Sequence, residues 1–572
     1  LVVRVLPDVP AIDKTFDYLV PDAVRDQVSV GDVVRIDLHG RRVGGWIVEV
    51  DVDPPPGVEL RPLAKRSGLG PTPELIDLAR WAAWRWAGRR ASLLRTASPP
   101  RVVGDLPVRA PRSRIDAPDH ALLAAAIAGP RSVLRLPPAT NLVHVATAAA
   151  SLGNSLVICP TAALAATIAD RLRRRGVGVA SHPSGWAAGA AGATVVGTRA
   201  AVWAPVADLA AVVVLDEHDE SHQQEQAPTW HARDVAIERS RRAGVPCVLT
   251  SPCPTLEALR WGTLHAADRA RDRAGWPTVE VVDQREQDPR LGLLSEPLAR
   301  RLREGGRVVC VLNRTGRARL LACAACGELA RCTTCDAAVQ QPDADLVCPR
   351  CGTERPPVCQ ACGASRFRTV RAGVTRVREH LEALVGEPVG ELTAATADPP
   401  GERVVVGTEA ALRRLDRADV VAFVDFDQEL LAPRYRAAEQ ALALLARAAR
   451  LTAASAAPSG RAAGHLLVQT RLPHHEVVQA AVRADVTPVA AAEQARRELL
   501  RLPPVTAVAE VSGPTASEYA AALALIEGLD VIEATPGRWW VRAADHDVLC
   551  DGLAAVPRPG GRLRVEVDPL RI

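Results

Sequence analysis

Eight of the thirteen cysteines fall in four C-x-x-C pairs within forty residues: Cys323/Cys326, Cys332/Cys335, Cys348/Cys351 and Cys359/Cys362. A two-residue spacer lets both thiolates of a pair face one metal, and a tetrahedral Zn²⁺ takes four of them at about 2.3 Å each. Four pairs make two closed sites with no open position, which implies two structural rather than catalytic zinc ions. A disulfide framework of this density belongs to small secreted domains, not to a chain of 572 residues. Five, twelve and seven residues separate the pairs. The twelve-residue spacer is long enough for a hairpin that returns to the same ion, so Cys332, Cys335, Cys348 and Cys351 are expected around one zinc. Cys323, Cys326, Cys359 and Cys362 are then left for the other. Spacing alone leaves an interleaved pairing open.

The length calls for several domains, and 48% hydrophobic with 24% charged residues allows ordinary cores. No apolar run reaches the roughly eighteen residues that span a bilayer, and Leu1 to Pro10 shows no signal-peptide pattern, so a cytoplasmic, nucleoid-associated protein is expected. The net charge of +4 does not by itself announce a nucleic-acid binder. Of the 70 basic residues, all but Lys14 and Lys65 are arginines, so no ammonium group is available after residue 65.

Residues 1–50 alternate apolar and polar positions around Gly and Pro, as in Val33 to Asp37 and Trp46 to Val50, which predicts a small β-rich domain. Pro73 to Arg90 has helical periodicity, with Leu75, Leu78, Trp81 and Trp84 on one face, where aromatics are core more often than stacking platforms. From about residue 115, short apolar strands alternate with helices: Leu156–Pro160, Thr194–Arg199, Val212–Leu215 and Val245–Leu249. A second series begins at Arg307–Arg314, is interrupted by the cysteine window and resumes at Val404–Thr408 and Val420–Phe426. This predicts a multidomain α/β chain with two parallel sheets in two lobes. The basic runs Arg171–Arg175 and Arg239–Arg242 read as solvated helix faces before they read as phosphate contacts.

Several short strings, in this order, carry a resemblance: Thr15 to Leu19, Gly31 to Val34, Val196 to Arg199, Glu217-His218-Asp219 with His231 to Asp234, and Leu312 to Gly316 directly before the cysteines. Leu502-Pro503-Pro504 and Val565 to Pro569 follow near the end. Together they resemble the PriA family, primosomal protein N′, the bacterial replication-restart DNA helicases. The resemblance implies two RecA-like helicase lobes with a zinc-binding insert in the second, an N-terminal β-rich DNA-binding domain, a winged-helix-like helical module and an α+β C-terminal domain. It places them at 1–62 (3′-DNA-end binding), 63–110 (winged-helix-like), 111–290 (lobe 1), 291–320 and 366–475 (lobe 2), 321–365 (zinc insert) and 476–572 (C-terminal domain).

The motor motifs depart from that family. Where a G-x-x-x-x-G-K-T loop is implied, Leu134 to Asn141 has neither Gly nor Lys. Leu215 stands where the family has the magnesium-binding Asp, with Asp216, Glu217 and His218 following; a one-residue shift would restore an acidic pair. Ser251 to Pro254 stands at the coupling loop, Gly407 to Arg414 lacks a Lys-Gly, and the arginine-finger segment keeps Arg447 and Arg450 without its Gln and glycines. These departures give the expectation of a degenerate, ATPase-dead homologue with doubtful ATP binding, not an enzyme. The DNA-end pocket implied by the resemblance falls on Phe16, Asp17, Gly40 and Arg61: a ring to stack on a terminal base, and a carboxylate to accept from it. The expected function is recognition of abandoned or stalled replication forks and branched DNA with a 3′ end, primosome assembly and reloading of the replicative helicase. Partners implied by the family are single-stranded DNA-binding protein and the replicative helicase or its loader, with no membrane. The alternatives are an active ATP-dependent 3′-5′ helicase and a zinc-ribbon docking scaffold without DNA binding.

Overall fold

The structure, a computed structural model, describes all residues except 11, 54–56, 110–114, 288–292, 313–320, 370–373, 454–463 and 571–572. The string Asn313 to Gly316 therefore lies outside the described residues. Two units separate by their internal contacts: one holds 1–134, 141–265 and 501–570, the other 135–140 and 266–500.

The first unit begins with an antiparallel sheet of β1 (Val2–Pro7), β2 (Phe16–Leu19), β3 (Val33–Leu38), β4 (Arg41–Val50) and β5 (Lys65–Gly68), in the order β2-β1-β4-β3-β5. β5 lies beyond residue 62, inside the segment assigned to the helical module, because the open edge of β3 takes it as a hydrogen-bonded partner through Val33 to Arg35. His39 and Gly40, both at positive φ (47° and 76°), make the two-residue loop between β3 and β4, a geometry whose twist matches the strands it joins. Alternate residues Val3, Val5, Tyr18, Val34, Ile36 and Ile47 fill one side of this sheet. Leu6, Trp46 and Val48 turn the other way, into a core shared with α1 (Pro73–Arg85) and α2 (Arg90–Ala97). Trp86 at the end of α1 is 1% exposed and meets Trp81 edge-on at 5.4 Å, while Trp84 is half-buried and donates to Asp551.

A seven-stranded sheet follows, with the order Thr263–Ala266, Arg131–Arg135, Cys247–Ser251, Leu209–Val214, Asn154–Ile158, Thr194–Gly197, Val179–Ser181. The pairs formed by Leu209–Val214, and those beyond it to Val179–Ser181, are parallel. The fully buried run of Asn154–Ile158 suits a strand covered on both faces. An antiparallel sheet of Asp530–Thr535, Arg538–Ala543, Ala507–Ser512 and Arg564–Val567, with helices Ala516–Leu523 and His546–Ala555, completes this unit.

The second unit is built on six parallel strands in the order Thr278–Asp283, His465–Thr470, Val420–Phe423, Val308–Val311, Val404–Gly407, Gly390–Leu392. Two placements differ from the boundaries read from sequence. Thr278–Asp283 falls in the span assigned to lobe 1 but pairs along its whole length with His465–Thr470. Helices Glu476–Arg483 and Thr487–Leu500, assigned to the C-terminal domain, pack in the second unit against the long helix Ala437–Ala453. Among the described residues, no helix is long and apolar enough to cross a membrane.

Candidate functional site

The cysteine window folds as four copies of one tight turn. In each, the residue after the second cysteine lies in the left-handed region: Gly327 (78°), Asp336 (60°), Gly352 (74°) and Gly363 (76°). Its N–H donates to the carbonyl of the first cysteine at 2.9–3.1 Å. The first cysteine's own N–H donates to the carbonyl two residues after the second cysteine, that of Glu328, Ala337, Thr353 or Ala364, at 2.8–2.9 Å. This double clasp closes the loop so that both sulfurs of a pair point one way. Three of the four left-handed positions are glycine, which takes that conformation without a Cβ penalty, and the fourth is Asp, among the residues that tolerate it. The sequence carries this signal as Gly or Asp directly after every pair.

Strands Leu321–Cys323 and Phe367–Thr369 pair at the base of the window, and Leu346–Val347 pairs with Glu354–Arg355 within it. These pairings bring Cys323, Cys326, Cys359 and Cys362 into one cluster and Cys332, Cys335, Cys348 and Cys351 into another, each with its sulfurs within 4.8 Å of one another. Individual Sγ···Sγ distances are 3.6 Å for Cys323 to Cys362 and Cys326 to Cys359, and 3.5 Å for Cys332 to Cys351 and Cys335 to Cys348. A disulfide would need about 2.05 Å. A tetrahedron with metal–sulfur bonds of about 2.3 Å has edges of roughly 3.8 Å, so each cluster has the size of a four-thiolate metal cage. The inner cluster is mostly buried, on a small core with Leu321, Ala330, Val339 and Leu346. Arg350 ties it down by donating to the carbonyls of Cys335 (3.2 Å) and Ala432 (2.8 Å). Cys326 and Cys362 of the outer cluster are exposed.

The N-terminal residues singled out by sequence lie on or near β2. Asp17 is gripped by the Arg4 guanidinium, Nε to Oδ1 at 2.9 Å and NH2 to Oδ2 at 3.3 Å, and Arg4 also donates to Glu49 at 2.8 Å. Its hydrogen bond to Asp17 is the largest influence holding Arg4 above its ordinary pKa. The Asp17 carboxylate is thereby fixed in direction yet keeps lone pairs for a further donor. Phe16 is half-buried against the inner face of the sheet, with the Lys14 ammonium 5.8 Å from its ring centroid. Arg61 is exposed and accepts from the Leu19 N–H through its carbonyl at 2.9 Å, which holds it against the end of β2. Gly40 sits at the exposed β3–β4 loop, and Tyr18 donates to the Asp37 carbonyl at 3.2 Å, which brings that hairpin back toward β2. Sequence reading missed Arg4, whose strand register opposite both Asp17 and Glu49 only the folded sheet supplies.

At the end of strand Leu209–Val214, Leu215 is fully buried and Asp216 turns at φ 51°. Glu217, 0% exposed, accepts from the Thr255 N–H (2.8 Å), from the Thr255 hydroxyl (2.9 Å) and from Arg233 (3.3 Å). Burial pushes its carboxyl above the usual range, and Arg233 opposes that shift. His218 shares a 2.8 Å hydrogen bond with Ser251. Thus the acidic turn and the segment Ser251 to Thr255 are joined by direct hydrogen bonds, through Arg233, which belongs to the string His231 to Asp234, and through Thr255, which sequence did not single out. Elsewhere Arg135 forms a 2.9 Å ion pair with Asp272, and Arg450 donates to the Pro138 carbonyl at 3.1 Å. Arg447 lies half-buried one turn before Arg450 on Ala437–Ala453.

Residues 4–99 match the PriA family model described as 3′DNA-binding domain (3′BD). The probable replication restart protein PriA of Mycobacterium tuberculosis (strain CDC 1551 / Oshkosh) is 30% identical over 569 residues, covering 88% of this chain and 85% of that protein. The replication restart protein PriA of Bacillus subtilis (strain 168) is 29% identical over 347 residues, 54% of this chain and 42% of the relative. Among solved structures, RecG bound to a three-way DNA junction is 12% identical over 65% of this chain and 45% of that one, with a TM-score of 0.35. The E. coli DExH-box NTPase HrpB is 14% identical over 63% of this chain and 41% of that one, with a TM-score of 0.32. The curated relatives overturn the expectation that the chain is not an enzyme. They are named replication restart proteins PriA, and the M. tuberculosis match runs through most of the chain, 88% of it. The departures at Leu134–Asn141 and the later motifs do not establish an ATPase-dead protein.

Proposed function

The chain belongs to the PriA family of replication restart proteins and carries that family's 3′DNA-binding domain, and from that premise we propose that it recognises stalled or abandoned replication forks through a free 3′ strand end. In this reading the Phe16 ring stacks on the terminal base and the Asp17 carboxylate, aimed by Arg4, accepts from the base or the terminal hydroxyl. Arg61 supplies a cation toward the phosphate, and Gly40 leaves the rim open, since a Cβ there would meet nothing within 4 Å. The observation that carries the reading is the coincidence of the family match at 4–99 with a sheet whose β2 holds a half-exposed ring beside an oriented carboxylate.

The two cysteine clusters hold structural zinc in this proposal. Four thiolates in a closed cage leave no position for substrate, so the ions fix a surface instead of doing chemistry. That surface and the DNA-bound chain together promote primosome assembly and reloading of the replicative helicase, with single-stranded DNA-binding protein and the helicase or its loader as partners.

The test is affinity for forks that differ only in a 3′-hydroxyl or a 3′-phosphate on the leading strand, measured across a salt series. The reading expects tighter binding of the hydroxyl form at every salt concentration, and loss of that preference in Phe16→Ala and Asp17→Asn. Equal affinity for the two forks in the unaltered protein would sink it.

A further inference from the structure

A cavity of about 630 Å³ opens in the first unit where the N-terminal sheet, α2 and its following loop meet the parallel sheet. That volume lies within the range of small-molecule pockets, roughly 300–1,000 Å³. From the first unit's parallel sheet it takes His182 and Thr198, each the residue directly after a strand, Val179–Ser181 and Thr194–Gly197. These strands are neighbours and parallel, so the cavity sits at their carboxyl ends, the edge at which open α/β sheets bind ligands. The opposite wall comes from residues within the 3′DNA-binding match, chiefly Trp46, Ser67 and Leu69.

The lining has the chemistry of a flat ring with an anionic tail. Trp46 is 3% exposed and is held by its indole N–H on the Ser98 hydroxyl at 2.8 Å, and Pro99 and Pro100 add a rigid apolar side. Ser67 and Thr198 offer hydroxyls, and His182 is kept neutral, its pKa lowered by burial to about 4, so it meets a base as a hydrogen-bonding ring and not as a cation. At the rim stand two exposed arginines, Arg95, which pairs with Asp8, and Arg101. Two guanidiniums against one carboxylate leave a net positive mouth over an apolar interior.

We propose that this cavity takes one internal nucleotide of the DNA strand whose 3′ end the N-terminal domain holds: the base enters beside Trp46 and His182, and the adjoining phosphate sits at Arg95 and Arg101. The proposal rests on the 3′-end reading for the identity of the strand. It uses none of Phe16, Asp17, Gly40 or Arg61, so the two can be separated.

The experiment measures binding of the full chain to fluorescein-labelled single-stranded DNA bearing one abasic residue, moved position by position back from the 3′ end. Loss of a stacked base costs about fivefold or more in affinity. A single internal position is expected to show that loss. The loss should disappear in Ser67→Trp, which fills the cavity, and shrink in Arg101→Ala at the exposed rim. In the unaltered protein, 4-thiothymidine at the same position should cross-link to the peptide carrying Trp46 or His182, a readout independent of whether Ser67→Trp folds. Indifference to base removal at every internal position overturns the proposal, as does cross-linking elsewhere or full abasic sensitivity in Ser67→Trp. Displacement of the strand by free thymidine monophosphate at equal concentration also overturns it, in favour of a free-nucleotide site. Loss of 3′-hydroxyl discrimination with the internal dependence intact sinks the 3′-end reading and leaves the cavity's assignment as a base site standing.

Discussion

Replacing Arg233 by Met tests whether the buried junction between Glu217 and Thr255 is held by charge. Arg233 is 5% exposed and divides its guanidinium between Glu217 (3.3 Å), the Thr255 hydroxyl (3.2 Å) and Asp234 (2.8 Å). Met fills a similar volume but strands a fully buried carboxylate, and breaking one side of a buried pair costs about 3–5 kcal/mol. At 2–4 °C per kcal/mol for a domain of this size, the transition of the first unit should fall by roughly 6–20 °C at pH 7.5. The cost is pH-dependent, with a definite sign. Burial already raises the Glu217 pKa, with Arg233 acting against it, so in the variant the folded-state value rises further. A raised folded pKa gives stability that is present at low pH and lost as pH rises through that value, so the deficit should shrink on acidification, by at most about 1.4 kcal/mol per pH unit. Adding Glu217→Gln to Arg233→Met should restore much of the stability, since the amide oxygen still accepts from the Thr255 N–H. Thermal unfolding of the four proteins of this cycle between pH 5 and 8 reads all three quantities. A deficit below about 1 kcal/mol that is flat in pH, or a double variant no more stable than Arg233→Met, would refute the argument.

Zinc released by a mercurial and read with a chromogenic chelator should be two ions per chain, and one in Cys335→Ser; a single ion in the unaltered protein would contradict the two-cage geometry. Gly352→Ala, at φ 74° with nothing within 4 Å of the new Cβ, meets backbone strain alone and should cost about 1–2 kcal/mol, read as faster zinc release, whereas Asp336→Gly should slow it. Asp427 is buried beside Asp425, and burial followed by that carboxylate raises its pKa to about 6. The second unit should therefore lose on the order of 3 kcal/mol as pH rises from about 4 through 6, and Asp427→Asn should flatten that slope in urea unfolding.

The sequence by itself determined the elements whose signal is local. The four C-x-x-C pairs, the continuous apolar runs of Leu209–Val214 and Val404–Gly407, and the helical spacing of Leu75 and Leu78 each encode a structure within a few residues. The ordered strings from Thr15 to Pro569 pointed to the family that the M. tuberculosis relative shows. Unit membership was not legible for Thr278–Asp283, because a parallel strand's partner, here His465–Thr470, lies nearly two hundred residues away and leaves no local mark. The same holds for Lys65–Gly68, whose short polar run becomes a strand only because β3 offers it an edge.

Side-chain roles divide in the same way. Residue types named the thiolates as ligands and the twelve-residue spacer gave the expected grouping with an interleaved one left open, while antiparallel pairing at Leu321–Cys323 and Leu346–Val347 is what brings those fours together. Asp17 was visible as a carboxylate beside a ring, whereas its fixed direction comes from Arg4 across the sheet. The cavity at His182 and Thr198 was invisible, since its walls come from segments more than a hundred residues apart. Local chemistry is written in sequence because covalent spacing enforces it. Orientation, shared burial and concavity arise when distant strands meet, so the tertiary structure alone decided them.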